Sequence, residues 1–182
     1  MYYLANYKKN EVYIKDFLKS NTVLFIFPLY TDAMPGVVKL FMEELYKSKP
    51  TRKTNVGFIV QSGFPESIHS LYLERYLERF ARRLDFNYLG TIRKGGVEGI
   101  QIMPGAMTKK LYENFRQLGR HFANTGKFDP NIKEKLAIPY KLSFTRRILF
   151  RVMGCLGFAN YYWNINLKKH DAYRKRFDQP YL

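Results

Sequence analysis

Between Thr22 and Gly36 the chain reads TVLFIFPLYTDAMPG: an apolar run, a proline-bounded turn and the start of an amphipathic segment. Val23-Leu24-Phe25-Ile26-Phe27 is β-branched and aromatic without polar alternation, the pattern of a strand buried on both faces. Pro28 ends the run because it has no N–H to give to a ladder. Pro35 has the fixed φ and missing donor that suit a first helical turn. Behind it Val38, Phe41, Met42 and Leu45 repeat at helical spacing. A buried parallel strand followed by a short loop and a helix puts Leu29 to Met34 at the carboxyl edge of an open sheet. Open α/β sheets bind ligands at that edge. The same pattern also suits an ordinary strand-to-helix connection.

The rest of the chain repeats the alternation. Glu11 to Lys19 reads as a short helix with Val12, Phe17 and Leu18 as its apolar positions. Val56 to Val60 reads as a second buried strand, with Gln61 to Ser67 as its outgoing loop. Ser67 to Leu84 carries the stripe Leu73, Leu77, Phe80 and Leu84, with Glu74, Glu78 and Arg82 among the residues expected on its solvent side. Phe86 to Ile92 is the third expected strand, and the glycine-rich stretch Gly95 to Gly105 follows it. Thr108 to Asn124 is expected to be helical on Leu111, Phe115, Leu118 and Phe122, closed by Gly126 as a left-handed cap. This order implies an α/β fold with a parallel sheet and right-handed crossovers. At 182 residues the chain has single-domain length. The expected division is an α/β domain over residues 1–138 and a basic, aromatic extension over residues 139–182.

Lys and Arg outnumber Asp and Glu by 31 to 15, a formal charge of +16. Such an excess favours anionic partners (nucleotide phosphates, nucleic acid or an anionic membrane) or is a solvated basic face. Charge without a recognition motif does not indicate specific nucleic-acid binding. Cys155 is the only cysteine, so an intramolecular disulfide, a cysteine-based metal site and an iron–sulfur cluster are excluded. Its surroundings predict a buried, inert thiol. His69, His121 and His170 lack ligand spacing, and no metal site is expected. The first residues are too short and polar-flanked for a secretory signal, and no apolar run approaches the ~20 residues of a spanning helix. A cytoplasmic location is the resulting expectation.

A family resemblance lies on these same residues. Pro28-Leu29-Tyr30, with Pro35 five residues after the tyrosine and Val38-Lys39-Leu40-Phe41 beyond, resembles a flavin-contacting loop of the flavodoxin-like FMN-dependent NAD(P)H oxidoreductases. Val56 to Glu66, VGFIVQSGFPE, resembles the next strand and flavin loop of that family. Leu89-Gly90-Thr91 and Lys94 to Gln101 extend the resemblance, which spans residues 10 to 125. It implies a flavodoxin-like open parallel sheet with flanking helices, and a flavoprotein oxidoreductase with FMN as cofactor and NAD(P)H as co-substrate. The cofactor contacts it implies are Pro28, Leu29, Tyr30, Thr31, Asp32, Ser62, Gly63 and Phe64. The implied chemistry is ping-pong hydride transfer from NAD(P)H through the flavin to a small acceptor such as a quinone, with no catalytic side chain.

One departure from the family alters the expectation. Its members open with a strand and a Ser/Gly-rich turn that cradles the FMN phosphate, and nothing before residue 22 matches it. The sequence therefore reads as a flavodoxin-like sheet reduced at its N-terminal side, either a shortened chain or a reduced paralogue. The strand Val23–Phe27 then loses a neighbour. Lys94-Gly95-Gly96-Val97-Glu98-Gly99 lacks the Lys-Ser/Thr pair and the glycine spacing of a triphosphate loop.

In the extension, Phe144, Ile148, Leu149, Val152, Met153 and Leu156 share a helical face away from Arg146, Arg147 and Arg151. Such a helix can pack on the domain, pair two copies in a homodimer, or lie on an anionic membrane. Packing on the same domain is the expectation. The rival function is a non-catalytic interaction protein of the same fold with a basic membrane- or partner-binding surface.

Overall fold

Three strands, β1 (Thr22–Pro28), β2 (Asn55–Gln61) and β3 (Asn87–Lys94), form a parallel sheet in the order β1-β2-β3. The structure is a computed structural model that describes residues 1–155 and 160–179. Leu156 of the expected C-terminal stripe and the terminal Leu182 lie outside the described residues. The chain divides into two compact units, Met1–Glu98 with Gly105–Lys141, and Gly99–Pro104 with Leu142–Leu182.

In the first unit α1 (Asn10–Lys19), α2 (Gly36–Lys47) and α3 (Leu71–Arg83) share one core with the sheet. Phe25 and Phe27 of β1 and Phe58 of β2 point into it, against Phe17, Phe41, Leu45 and Leu77. Burying each such side chain stabilises the fold by about 1.5–3 kcal/mol. A second, smaller cluster joins Leu118 of α4 (Gly105–Thr125) and Ile132 and Leu136 of α5 (Pro130–Leu136) to Ile92 of β3, with Ile59 packed against it. The open parallel α/β sheet with flanking helices expected from the sequence is therefore present.

Several local expectations are corrected. β1 is not buried on both faces: it ends the sheet, and Ile26 on its second face is 68% exposed. The reason is that α4 and α5 close on the β2–β3 side alone. In α1 the buried apolar residues are Ile14 and Phe17, while Val12 is exposed. Pro35 is the residue before α2, not its first turn, and its carbonyl accepts from the N–H groups of Val38 and Lys39. Ser67–Ser70 is a 3-10 turn ahead of α3. Glu74 is not on the solvent side. Its carboxylate is 2.8 Å from Arg93 Nε of β3 and accepts from Lys133 Nζ of α5 at 3.1 Å, so it ties two elements to β3. The Glu78–Arg82 pair forms as expected, at 2.6 Å.

β3 carries a bulge. Val56 pairs with Tyr88 and Gly57 with Gly90, which leaves Leu89 as the extra residue. Gly90 takes a φ of +111° there, a conformation that favours glycine. Gly126 closes α4 at φ +68°, its N–H donating to Phe122 O at 2.8 Å. The sequence reading missed α5, although Asp129-Pro130 announces it: Asp129 Oδ1 caps Ile132 N–H at 3.0 Å and Pro130 occupies the first turn.

The second unit holds α6 (Phe144–Cys155) and α7 (Tyr161–Lys169). Neither helix has a buried residue. Ile148, Leu149, Val152 and Met153 are 40–56% exposed, and Phe144 is 78% exposed. Cys155 is exposed as well, which corrects the expectation of a buried thiol: the face of α6 that carries it is uncovered. Among the described residues no helix is long and apolar enough to cross a membrane.

Candidate functional site

The register of the sheet brings the strand ends together. Pro28 pairs with Gln61, and Gln61 with Lys94, so three loops leave the carboxyl edge side by side. Leu29 N–H donates to Gln61 O at 2.6 Å, and Ser62 N–H donates to Lys94 O at 2.9 Å, which extends the ladder into the loops. Pro28, Leu29, Tyr30, Thr31 and Asp32 thus lie on the first loop, and Ser62, Gly63 and Phe64 on its neighbour.

The first loop is a tight turn. Tyr30 N–H donates to Ala33 O at 2.8 Å, and Ala33 N–H returns the bond to Tyr30 O at 2.9 Å. Thr31 and Asp32 between them have φ of +47° and +61°. Two successive left-handed residues closed by such a pair make a type I′ turn, which non-glycine residues adopt at some cost. The turn buries Leu29 and leaves the Tyr30 ring 62% exposed above the strand ends.

The second and third loops are bonded to each other. Gly96 N–H donates to Phe64 O at 2.7 Å and Val97 N–H to Ser62 O at 3.2 Å. Ser62 is buried, and its hydroxyl donates to Phe64 O at 3.2 Å. A Cβ on Gly95 would stand 2.6 Å from Phe64 O and 2.7 Å from Pro65 O, so only glycine permits this approach. A Cβ on Gly63 would meet the tip of Glu98, Oε2, at 2.9 Å. Phe64 is half exposed, and its ring lies 4.7 Å from that of His69. His69 Nε2 is 3.5 Å from Glu66 Oε2.

The family resemblance takes in Lys94 and Glu98 with the segment Lys94 to Gln101, which it implies lies near the open side of the flavin, but gives neither residue a role at this edge. Lys94 closes β3 half buried, and that burial lowers its amine below the usual lysine value. Glu98, exposed, reaches back over Gly63. Their signal was only positional, in the glycine-rich stretch after β3. His121 and His170 lie on α4 and just after α7, away from these loops in sequence.

Comparison with known structures gives distant likenesses. The Trp repressor binding protein from Bacillus subtilis matches at 18% identity over 49% of this chain, with a TM-score of 0.44, and the chain spans 64% of its length. An NADPH-quinone reductase from P. pentosaceus matches at 17% identity over 72% of this chain and 71% of its own, with a TM-score of 0.43. No protein-family model matches the chain, and no curated protein matches it. At these scores the likeness is one of general α/β arrangement, and no activity is taken from it.

Proposed function

We propose that the chain is a flavin-binding, oxidoreductase-like protein of flavodoxin-like fold, with the ring of FMN held by the loops at the carboxyl edge of the sheet. The observation that carries this reading is the joining of those loops into one bonded edge that leaves the Tyr30 and Phe64 rings exposed beside a glycine. The residues present suit a flat ring. With the exposed Glu98 side chain swung off it, Gly63 lets a planar group approach the backbone; the I′ turn keeps the Thr31 and Asp32 N–H groups outside its own Tyr30–Ala33 bonded pair, and Leu29 and Ser62 are buried beneath.

They suit the phosphate less well. α2 starts at this edge, yet Pro35 precedes it and its first turn, Gly36-Val37-Val38, has no hydroxyl side chain. Lys94 supplies a cation at the same edge, which favours an anionic cofactor or the phosphates of NAD(P)H. A bound flavin supplies hydride transfer between NAD(P)H and a small acceptor such as a quinone. The chain's own part is to orient the ring and shield one side of it, and no side chain is assigned a proton-transfer role.

Titration of the full chain into FMN and into riboflavin, read by flavin fluorescence, tests this. Saturable quenching of both, with riboflavin nearly as tight as FMN, supports a site that holds the ring and few phosphate contacts. A strong preference for FMN means that another segment supplies a phosphate nest. No quenching of either removes the flavin reading.

One observation favours a second reading for the extension. α6 exposes Phe144, Ile148, Leu149, Val152 and Met153, while Arg146 and Arg151 lie on the same helix. An exposed apolar face flanked by arginines suits the surface of an anionic membrane. Sedimentation with phosphatidylserine vesicles, compared with neutral vesicles, tests it.

A further inference from the structure

The outer edge of β1 has no part in the flavin reading. In a parallel ladder both backbone groups of a residue point to the same side, and the side alternates along the strand. Asn21 O accepts from Asn55 N–H at 2.9 Å, and Leu29 N–H donates to Gln61 O at 2.6 Å. The odd-numbered residues of β1 therefore turn their backbone toward β2. Thr22, Leu24 and Ile26 turn their N–H and C=O groups outward, joined by the carbonyl of Pro28. β1 pairs with β2 alone, so among the described residues this edge has no strand partner.

Natural edge strands are blunted by charges, an internal proline or a bulge. The segment TVLFIF has none of these, and the bulge of this sheet lies between β2 and β3. A groove of about 500 Å³ runs along β1, lined also by Tyr2, Leu4, Tyr13, Phe17, Val38 and Phe41. Asp16 is the acidic side chain in that lining, and its carboxylate accepts from the Tyr2 hydroxyl. The groove is thus apolar along its walls and offers unpaired backbone groups along its floor. Alternating donors and acceptors at strand spacing are matched by an extended polypeptide backbone, the mode known as strand addition.

We propose that this edge takes an extended strand from a different polypeptide, with apolar residues at alternate positions and acidic residues at its ends. Alternation follows from the pleat: every second side chain of the added strand faces the groove wall. A different polypeptide follows from charge. Two copies paired edge to edge bring +16 against +16, whereas an acidic flank is attracted to Arg52, which donates to Lys19 O and Asn21 Oδ1 at the start of β1. The proposal does not depend on flavin binding.

The probe is a capped peptide with an alternating Val-Thr core flanked by glutamates, added to the full chain and read by residue-resolved amide hydrogen exchange. With peptide at about ten times its Kd, exchange at Thr22, Leu24 and Ile26 slows about tenfold. The same peptide N-methylated at alternate residues keeps its side chains but loses the ladder, and produces no slowing. Ile26→Pro removes an outward N–H without touching the β2 ladder, and abolishes the effect while melting as a folded protein. Three outcomes overturn the proposal: no slowing with peptide, equal slowing with the N-methylated peptide, or slowing that grows with protein concentration alone. The last of these assigns the edge to a second copy.

Discussion

Gly95→Ala tests how the loops of the candidate site are held. A Cβ there would stand 2.6 Å from Phe64 O, 2.7 Å from Pro65 O and 2.9 Å from Pro65 C, all backbone atoms that cannot rotate away. Reaching even 3.0 Å from the nearest requires the Phe64–Pro65 segment to recede by 0.4 Å. That segment accepts the 2.7 Å bond from Gly96 N–H, next to the 3.2 Å bond from Val97 N–H to Ser62 O. The second bond is already at the long end of the normal range and fails first. Overpacking costs about 1–3 kcal/mol, and a lost buried hydrogen bond adds about 1 kcal/mol. The expected destabilisation is about 2–4 kcal/mol, read as a lower urea midpoint at unchanged slope. Gly105→Ala is the contrast: nothing lies within 4 Å of its Cβ, and a helix-start alanine is neutral or stabilising by up to about 1 kcal/mol. A Gly95→Ala midpoint within about 0.5 kcal/mol of the parent would refute the claim that this approach is tight.

Three other substitutions probe the surrounding structure. Burial pushes the Tyr88 hydroxyl from 10.0 up to about 12, so the stability it contributes is complete below pH 10 and is lost as pH rises through 12. Tyr88→Phe is expected to flatten the loss of urea midpoint across that window, and an unchanged slope would exclude Tyr88 as its source. Glu74→Gln leaves Arg93 and Lys133 without their shared carboxylate and is expected to cost about 1–3 kcal/mol; calorimetry showing no fall in melting temperature would mark the pairs as idle. Leu149→Asp, on a side chain 56% exposed, is expected to change stability by less than about 0.5 kcal/mol yet to abolish sedimentation with phosphatidylserine vesicles. A large loss of stability would instead mean that Leu149 is covered in the native protein.

The alternation of strands and helices was legible because proline and glycine punctuate it. Pro28 and Pro35 bracket the first loop, and Gly126 closes α4 in the conformation its composition implies. The faces were less legible. TVLFIF carries no polar alternation, and a run of that kind does not reveal that the covering helices stop short of its second face. Glu74 looked like a solvent residue because its partners, Arg93 and Lys133, come from β3 and α5, far along the chain. The same distance hid Glu98 from Gly63. Thr31-Asp32 escaped notice as a I′ turn because that turn is usually announced by glycine or asparagine, and here aspartate alone gives the hint.

The central claim, that the carboxyl-edge loops hold a flavin ring against Gly63, is tested most directly by FMN titration of the parent chain beside Gly63→Val. The added side chain meets Oε2 and Cβ of the exposed Glu98 at 2.9 and 3.2 Å; the carboxylate can swing away and the Cβ must recede slightly, so the variant is expected to fold at a cost of about 1–3 kcal/mol. The parent should quench FMN fluorescence to saturation, and Gly63→Val should not. Equal quenching by a folded Gly63→Val and the parent would contradict the account.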